Sequence, residues 1–253
     1  MAINLKIPVN KDLLRVPGIK LATLSAGLKY KDRKDLMLIV LDDESIVSAT
    51  FTQNKFCAAP VIVSKKHLKV TSAIKALIVN TGSANAGTGD KGIKDAESVC
   101  KSIAKVLDVK PSQVLPFSTG VIMTPLPVHK INQVTPDLVK GLKENNWLGA
   151  AEAIMTTDTL PKAVSKSILI QDEKLTITGI SKGAGMIHPN MATMLAFILT
   201  NANISLEMLQ KLNKEIVGTT FNCISVDGDT STNDSFIIAA TNQAKHSKIV
   251  KED

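Results

Sequence analysis

With 253 residues, 44% hydrophobic and 21% charged, the chain is long enough for one large domain or two moderate ones around a sizeable core. Aromatic residues make up only 3%, so the core must be aliphatic, and the composition argues against the stacking platforms of single-strand nucleic-acid binders. The net charge of +7 comes from scattered lysines with no basic block: residues 193–253 hold 5 Lys/Arg against 7 Asp/Glu, and the excess in residues 1–192 reads as solvated surface.

The N-terminal stretch MAINLKIPVNKDLLRV has no apolar signal core, and no 18-residue apolar run occurs, so neither a secretory signal nor a membrane span is expected. LMLIVL (36–41) and SIVSATF (45–51) flank a polar DDE and predict a hairpin. ALIVN (76–80) predicts a buried strand. Residues 91–109 set Ile93, Ala96, Val99, Cys100, Ile103, Ala104 and Leu107 on one helical stripe, which Pro111 is expected to end. Residues 128–146 read weakly as a linker, and 146–155 as a short helix. AVSKSILI (163–170) and KLTITGI (174–180) flank QDE and predict a second hairpin. A strand over about 191–200 follows, then an amphipathic helix over 205–221 with Ser205 as N-cap, and a last strand at 235–241. Strands outnumber helices and hairpins mix with helices, so the fold class is α+β, with helices covering a mostly antiparallel sheet.

Five short stretches carry candidate chemistry. GTGDKG places Gly87, Gly89 and Gly92 in a G-x-G-x-x-G pattern, with Asp108 beyond. The residues TGSANA separate it from the preceding strand, and no alternating parallel pattern follows, so a tight Asn/Gly-rich loop is the better reading than a dinucleotide site. DGDTSTND (227–234) has Asp227 and Asp229 at calcium-loop spacing but Thr232 where that loop needs glycine, which argues against metal. His67, His129, His188 and His246 show no ligand spacing and read as surface or loop residues, so no metal is expected. Cys57, Cys100 and Cys223 form no CxxC pair, which fits a reducing, cytoplasmic setting.

STGVIMTP (118–125) is more suggestive: Gly120 lets backbone approach a ligand closely, and its N–H beside the Thr119 hydroxyl could stabilise an oxyanion, though an ordinary turn would read the same way. TTDT (156–159), with Thr156, offers hydroxyls and a carboxylate after a helix, or simply a helix terminus. Thr193 lies where KGAGMIHPNMA meets TMLAF. A threonine becomes a nucleophile when its own α-amine is freed by cleavage of the bond before it. Gly183, Gly185, Pro189 and the small Ala192 suit a cleavable Ala192–Thr193 bond, while a buried strand threonine is the plain alternative.

Five segments in order, NTGSANAGTGDKG, STGVIMTPLP, AIMTTDTLPKA, ISKGAGMIHPNMATMLAFI and SVDGDTSTND, together resemble the ornithine acetyltransferase family of arginine biosynthesis, across roughly residues 17–240. The resemblance implies an αββα sandwich and self-cleavage at Ala192–Thr193. Residues 1–192 would form an α chain and residues 193–253 the start of a β chain, usually assembled as α2β2. Thr193 would take acetyl from N-acetylornithine and pass it to glutamate; some members also accept acetyl-CoA. Thr119 and Gly120 match the family's oxyanion pair; Thr156, Lys182 and Thr193 match its substrate-binding positions. Lys182 would suit the substrate α-carboxylate, and no metal or organic cofactor is implied. Family chains are longer, and their later GEGATK-like segment has no counterpart before Asp253. Most of the β chain is therefore expected to be missing, which keeps open an incomplete fragment that partners a separate chain.

Overall fold

A computed structural model describes residues 6–29, 31–187 and 194–252. Two sheets pack face to face. The first runs β1 (Ile19–Leu24), β2 (Leu36–Leu41), β4 (Ala76–Ser83) and β5 (Val114–Val121), in that order across the sheet. The second runs β3 (Ile46–Phe51), β9 (Ser235–Ala240), β8 (Leu195–Thr200), β7 (Glu173–Lys182) and β6 (Lys162–Ile170). The β4–β5 and β8–β9 pairs are parallel and the other five are antiparallel.

Continuous apolar runs become strands here because both faces of each inner strand are covered. In β2, Met37, Ile39 and Leu41 enter the core between the sheets, while Leu36 and Leu38 face outward to helices. In β8, Leu195, Phe197 and Leu199 point inward, and Ala196 and Ile198 meet a helix on the far side. Phe117 and Phe197 meet edge to face across the interior at 5.2 Å, a pair contributing about 1 kcal/mol beyond its buried area. Helices α1 (Ala59–Val70), α2 (Gly89–Leu107) and α3 (Val128–Lys140) cover the first sheet. Helix α5 (Leu206–Thr219) covers the second, and α4 (Trp147–Ala153) closes the core with the fully buried Trp147. The result is an αββα sandwich, as the family resemblance implies.

Several predicted elements stand. Helix α2 buries Ala96, Val99, Cys100, Ile103 and Ala104. The β6–β7 hairpin turns through Gln171 and Asp172, both at positive φ. The Ser205 Oγ accepts the Met208 N–H at 3.2 Å and caps α5.

Others change. The strands β2 and β3 do not form a hairpin: after a turn closed by the Ser45 N–H on the Asp42 carbonyl, the chain crosses to the other sheet, where β3 pairs with β9. Helix α2 stops at Leu107, with Asp108 in the left-handed region at φ +55, and Pro111 instead opens a 3-10 turn. The expected linker contains α3, whose Pro136 obscured a helix that buries Ile131, Thr135 and Leu138. The segment β4–α2–β5 is a parallel crossover unit, contrary to the absence of such a pattern expected from sequence. Pro116 disguised β5, and its place at the sheet edge is where a strand tolerates proline. His67 is no surface residue: it is buried on α1, with Nδ1 2.7 Å from the Val114 carbonyl of that edge strand. His246 is also buried and accepts the Asn203 N–H through Nε2.

Candidate active site

The parallel strands β4 and β5 end in matching dipeptides. Thr81 pairs with Thr119 and Gly82 with Gly120. Gly120 has φ +138, and a Cβ there would lie 2.4 Å from the Gly82 carbonyl carbon, so only glycine fits. Beside this double terminus lies a cavity of about 480 Å³, within the usual range for small-molecule sites. Its walls bring together Thr119 and Gly120 from β5, Thr156 from the loop after α4, and Lys182 from the end of β7. Thr193 and Ala192 lie outside the described residues. The next residue, Met194, is placed: its N–H donates to Asp234 Oδ1 at 2.7 Å, and Leu195 pairs in register with Lys182.

Lys182 is only 6% exposed, and its Nζ donates to Thr119 Oγ1 at 3.1 Å. An ammonium group has no acceptor to offer, so the Thr119 oxygen accepts and its own proton must go elsewhere. That leaves Thr119 polarised as a donor. Burial pushes the Lys182 pKa down, and the carboxylates of Asp158 and Asp234 pull against that.

Asp158 organises the opposite wall. It pairs with Lys162, accepts the Gly183 N–H at 2.8 Å through Oδ1, and accepts the Thr156 N–H at 3.3 Å through Oδ2. Burial would raise its carboxyl, but the bonds from Lys162 and Gly183 outweigh this and hold it below the usual carboxylate range. Arg33, which also lines the cavity, donates to the carbonyls of Met155 and Thr156 and fixes the TTDT loop. At the rim, Asp227 accepts the N–H groups of Met186 and Ile187, which hold its carboxyl low. Thus Asp227 ties down the backbone just before the undescribed segment.

The remaining sequence candidates take structural roles. Gly92 packs against Thr88 and Gly87 against Met123 and Phe56, and none of the three fingerprint glycines lines the cavity. Among the described residues no three His, Cys, Asp or Glu side chains gather as metal ligands. Cys100 is buried in the α2 stripe, where desolvation pushes its thiol far up. The sequence reading noted the TTDT carboxylate, Asp158, without giving it a role, and passed over Arg33 and the buried Asn233. It also passed over Thr81-Gly82, which the echo of NTGS (80–83) in STGV (118–121) announces.

Fold and site together define an αββα sandwich with a threonine–glycine strand terminus opposite a buried lysine. Residues 20–253 match the ArgJ family model, and the chain belongs to the ArgJ family. It is 50% identical over 254 residues to the arginine biosynthesis bifunctional protein ArgJ of Colwellia psychrerythraea, covering 96% of this chain and 60% of that protein. The chain therefore spans about 60% of the length of that curated relative. Among solved structures, the arginine biosynthesis bifunctional protein ArgJ of Bacillus halodurans is 35% identical with a TM-score of 0.63, over 70% of this chain and 92% of that one. The ornithine acetyltransferase of Mycobacterium tuberculosis, complexed with ornithine, is 27% identical with a TM-score of 0.61, over 75% of this chain and 98% of that one.

Proposed function

We propose that the chain carries the acetyl-transfer centre of arginine biosynthesis, moving acetyl from N2-acetyl-L-ornithine to L-glutamate through Thr193. The observation that supports this most is the cavity that gathers Thr119, Gly120, Thr156 and Lys182 from three separated segments. The M. tuberculosis relative was solved with ornithine bound, a product of the first half-reaction.

The reading begins with hydrolysis of the Ala192–Thr193 bond, in which water supplies the new Ala192 carboxylate and the Thr193 α-amine is freed as a base beside its hydroxyl. Residues 1–192 become the α chain and residues from 193 begin the β chain.

The Thr193 oxygen then attacks the donor's acetyl carbon, and its proton passes to the α-amine. The oxyanion formed is stabilised by the Gly120 N–H and the Thr119 hydroxyl, whose polarity the Lys182 contact sets. Collapse breaks the acetyl C–N bond, the proton returns to the leaving amine, and ornithine departs. The glutamate amine attacks the acetyl ester by the same route, which restores the hydroxyl. Thr156 and Lys182 hold the amino-acid portion common to both substrates. Every step balances with protons already present, so the cycle calls for no metal or organic cofactor; acetyl-CoA is an alternative donor. The three free thiols suit a cytoplasmic setting, and the cut chains assemble as α2β2.

Mass spectrometry tests the reading. Two fragments divided before Thr193, with acetyl on the smaller after incubation with N-acetylornithine, are expected. An intact, unlabelled chain that behaves like Thr193→Ala would overturn it.

A further inference from the structure

We infer that two adjacent residues, Asn233 and Asp234, form a positioning pair that sets the spacing between the oxyanion donors and the nucleophile. The inference rests on Thr193 being that nucleophile.

Asn233 grips the oxyanion side. Its Nδ2 donates to the Ser118 carbonyl at 2.9 Å, one residue before Thr119, and to the Ala84 carbonyl at 2.6 Å, just beyond β4. One amide hydrogen is thereby used on β5 and the other just past the end of β4, next to the two Thr-Gly dipeptides. Its Oδ1 accepts the Thr232 hydroxyl, and a flipped amide would lose both bonds to the carbonyls. Asp234 grips the nucleophile side. Its Oδ1 accepts the Met194 N–H at 2.7 Å, and the neighbouring Ser235 N–H donates to the Met194 carbonyl at 3.0 Å. Both backbone polar groups of the residue after Thr193 are therefore held by residues 234–235.

The two grips sit one peptide apart, about 3.8 Å between Cα atoms, so little chain lies between them to absorb a displacement. The stretch is itself fixed: residues 231–235 are all buried, and the Thr52 N–H donates to the Asp234 carbonyl at 3.0 Å. Apolar contacts between the sheets set their distance but tolerate sliding, whereas these bonds fix direction. An error of about 1 Å between nucleophile and oxyanion donors is enough to cost roughly 100-fold in rate.

The pair acts through other residues, so its loss should appear in kcat per acetylated Thr193 and leave KM for N-acetylornithine little changed. We expect Asn233→Ala and Asp234→Ala to lower kcat per labelled site by roughly 30- to 100-fold with KM within threefold. Asp234→Asn keeps an acceptor oxygen and should recover most of the rate. Labelling counts only folded, competent sites, so a merely structural role would reduce the number of sites and not the rate of each. Native-state hydrogen exchange provides a second arm: Asn233→Ala should speed exchange at 119–121, and Asp234→Ala at Met194. Wild-type rates per labelled site would overturn the pair's role, as would an Asp234→Asn variant no better than alanine. If wild-type Thr193 never becomes acetylated, the transfer reading fails by itself. The exchange arm then decides the pair, and unchanged protection at 119–121 and Met194 would refute it.

Discussion

Replacing Gly120 by alanine separates backbone geometry from side-chain chemistry, because the change adds one methyl group and no charge. The new Cβ would lie 2.4 Å from the Gly82 carbonyl carbon, 2.6 Å from its oxygen and 2.7 Å from the Ser83 nitrogen. All three are backbone atoms of a paired strand, so no rotamer can relieve the overlap. The positive φ of +138 costs about 1–3 kcal/mol for a residue with a side chain, and forced repacking about as much again. A total of about 4 kcal/mol corresponds to a drop in Tm of about 8–16 °C for a domain of this size. On the proposed reading the Gly120 N–H is an oxyanion donor, and its displacement by this strain lowers kcat by about 100- to 1000-fold. Thermal unfolding followed by circular dichroism, paired with an acetyl-transfer assay, measures both. Gly218→Ala is the control: this α5 glycine has ordinary helical backbone and nothing within 4 Å of a built Cβ, so alanine there should stabilise by about 0.5–1 kcal/mol. A Gly120→Ala protein with wild-type Tm and wild-type transfer would refute the close β4–β5 contact and the donor assignment together.

Asp158→Asn should destabilise by about 2 kcal/mol at pH 7, since a charged acceptor of three donors is lost. The folded carboxyl titrates below its ordinary 3.8, so its contribution is full at neutral pH and fades as pH falls below that value; Tm curves of the two proteins should converge there. Ser205→Ala removes the α5 cap and should cost about 1 kcal/mol, or 2–4 °C in Tm. Thiol labelling at pH 7.5 should modify the exposed Cys223 first and the half-buried Cys57 more slowly, its thiol being raised by burial. Cys100 should react only on unfolding; early labelling there would contradict the packing of α2.

Local periodicity made the amphipathic elements legible. The α2 stripe and the Ser205 cap needed no knowledge of the rest of the chain. The β6–β7 hairpin was equally local, since its turn residues sit between two strand-like runs. Helix α1 was missed because its front half, APVIV, is buried broadly and reads like a strand. The pairing of β2 and β3 was misjudged for a different reason. Nearness in sequence favours a hairpin, and only the second sheet's demand for a partner beside β9 sends β3 away. At the site, Thr119-Gly120 was legible as a Thr-Gly step that lets backbone approach a ligand, although the strand it ends, β5, was not. Asn233 was not: its partners, Ser118 and Ala84, lie 115 and 149 residues away. Lys182 was singled out only by the family resemblance; composition alone made it one more solvated lysine, and the fold buries it against Thr119.

The strand order of the second sheet bears on what scission at Ala192–Thr193 would do to the molecule. Strands β8 and β9, which follow that bond, lie side by side in the middle of the sheet, with β7 on one flank and β3 on the other, both from before it. Each flank is a six-residue ladder, and Phe197 and Ile237 are sealed inside. Severing the backbone would therefore leave the pieces woven into one another, free to reposition a new terminus but unable to drift apart. Such a nicked protein should travel as one body through a native sizing column and separate into two bands only in detergent.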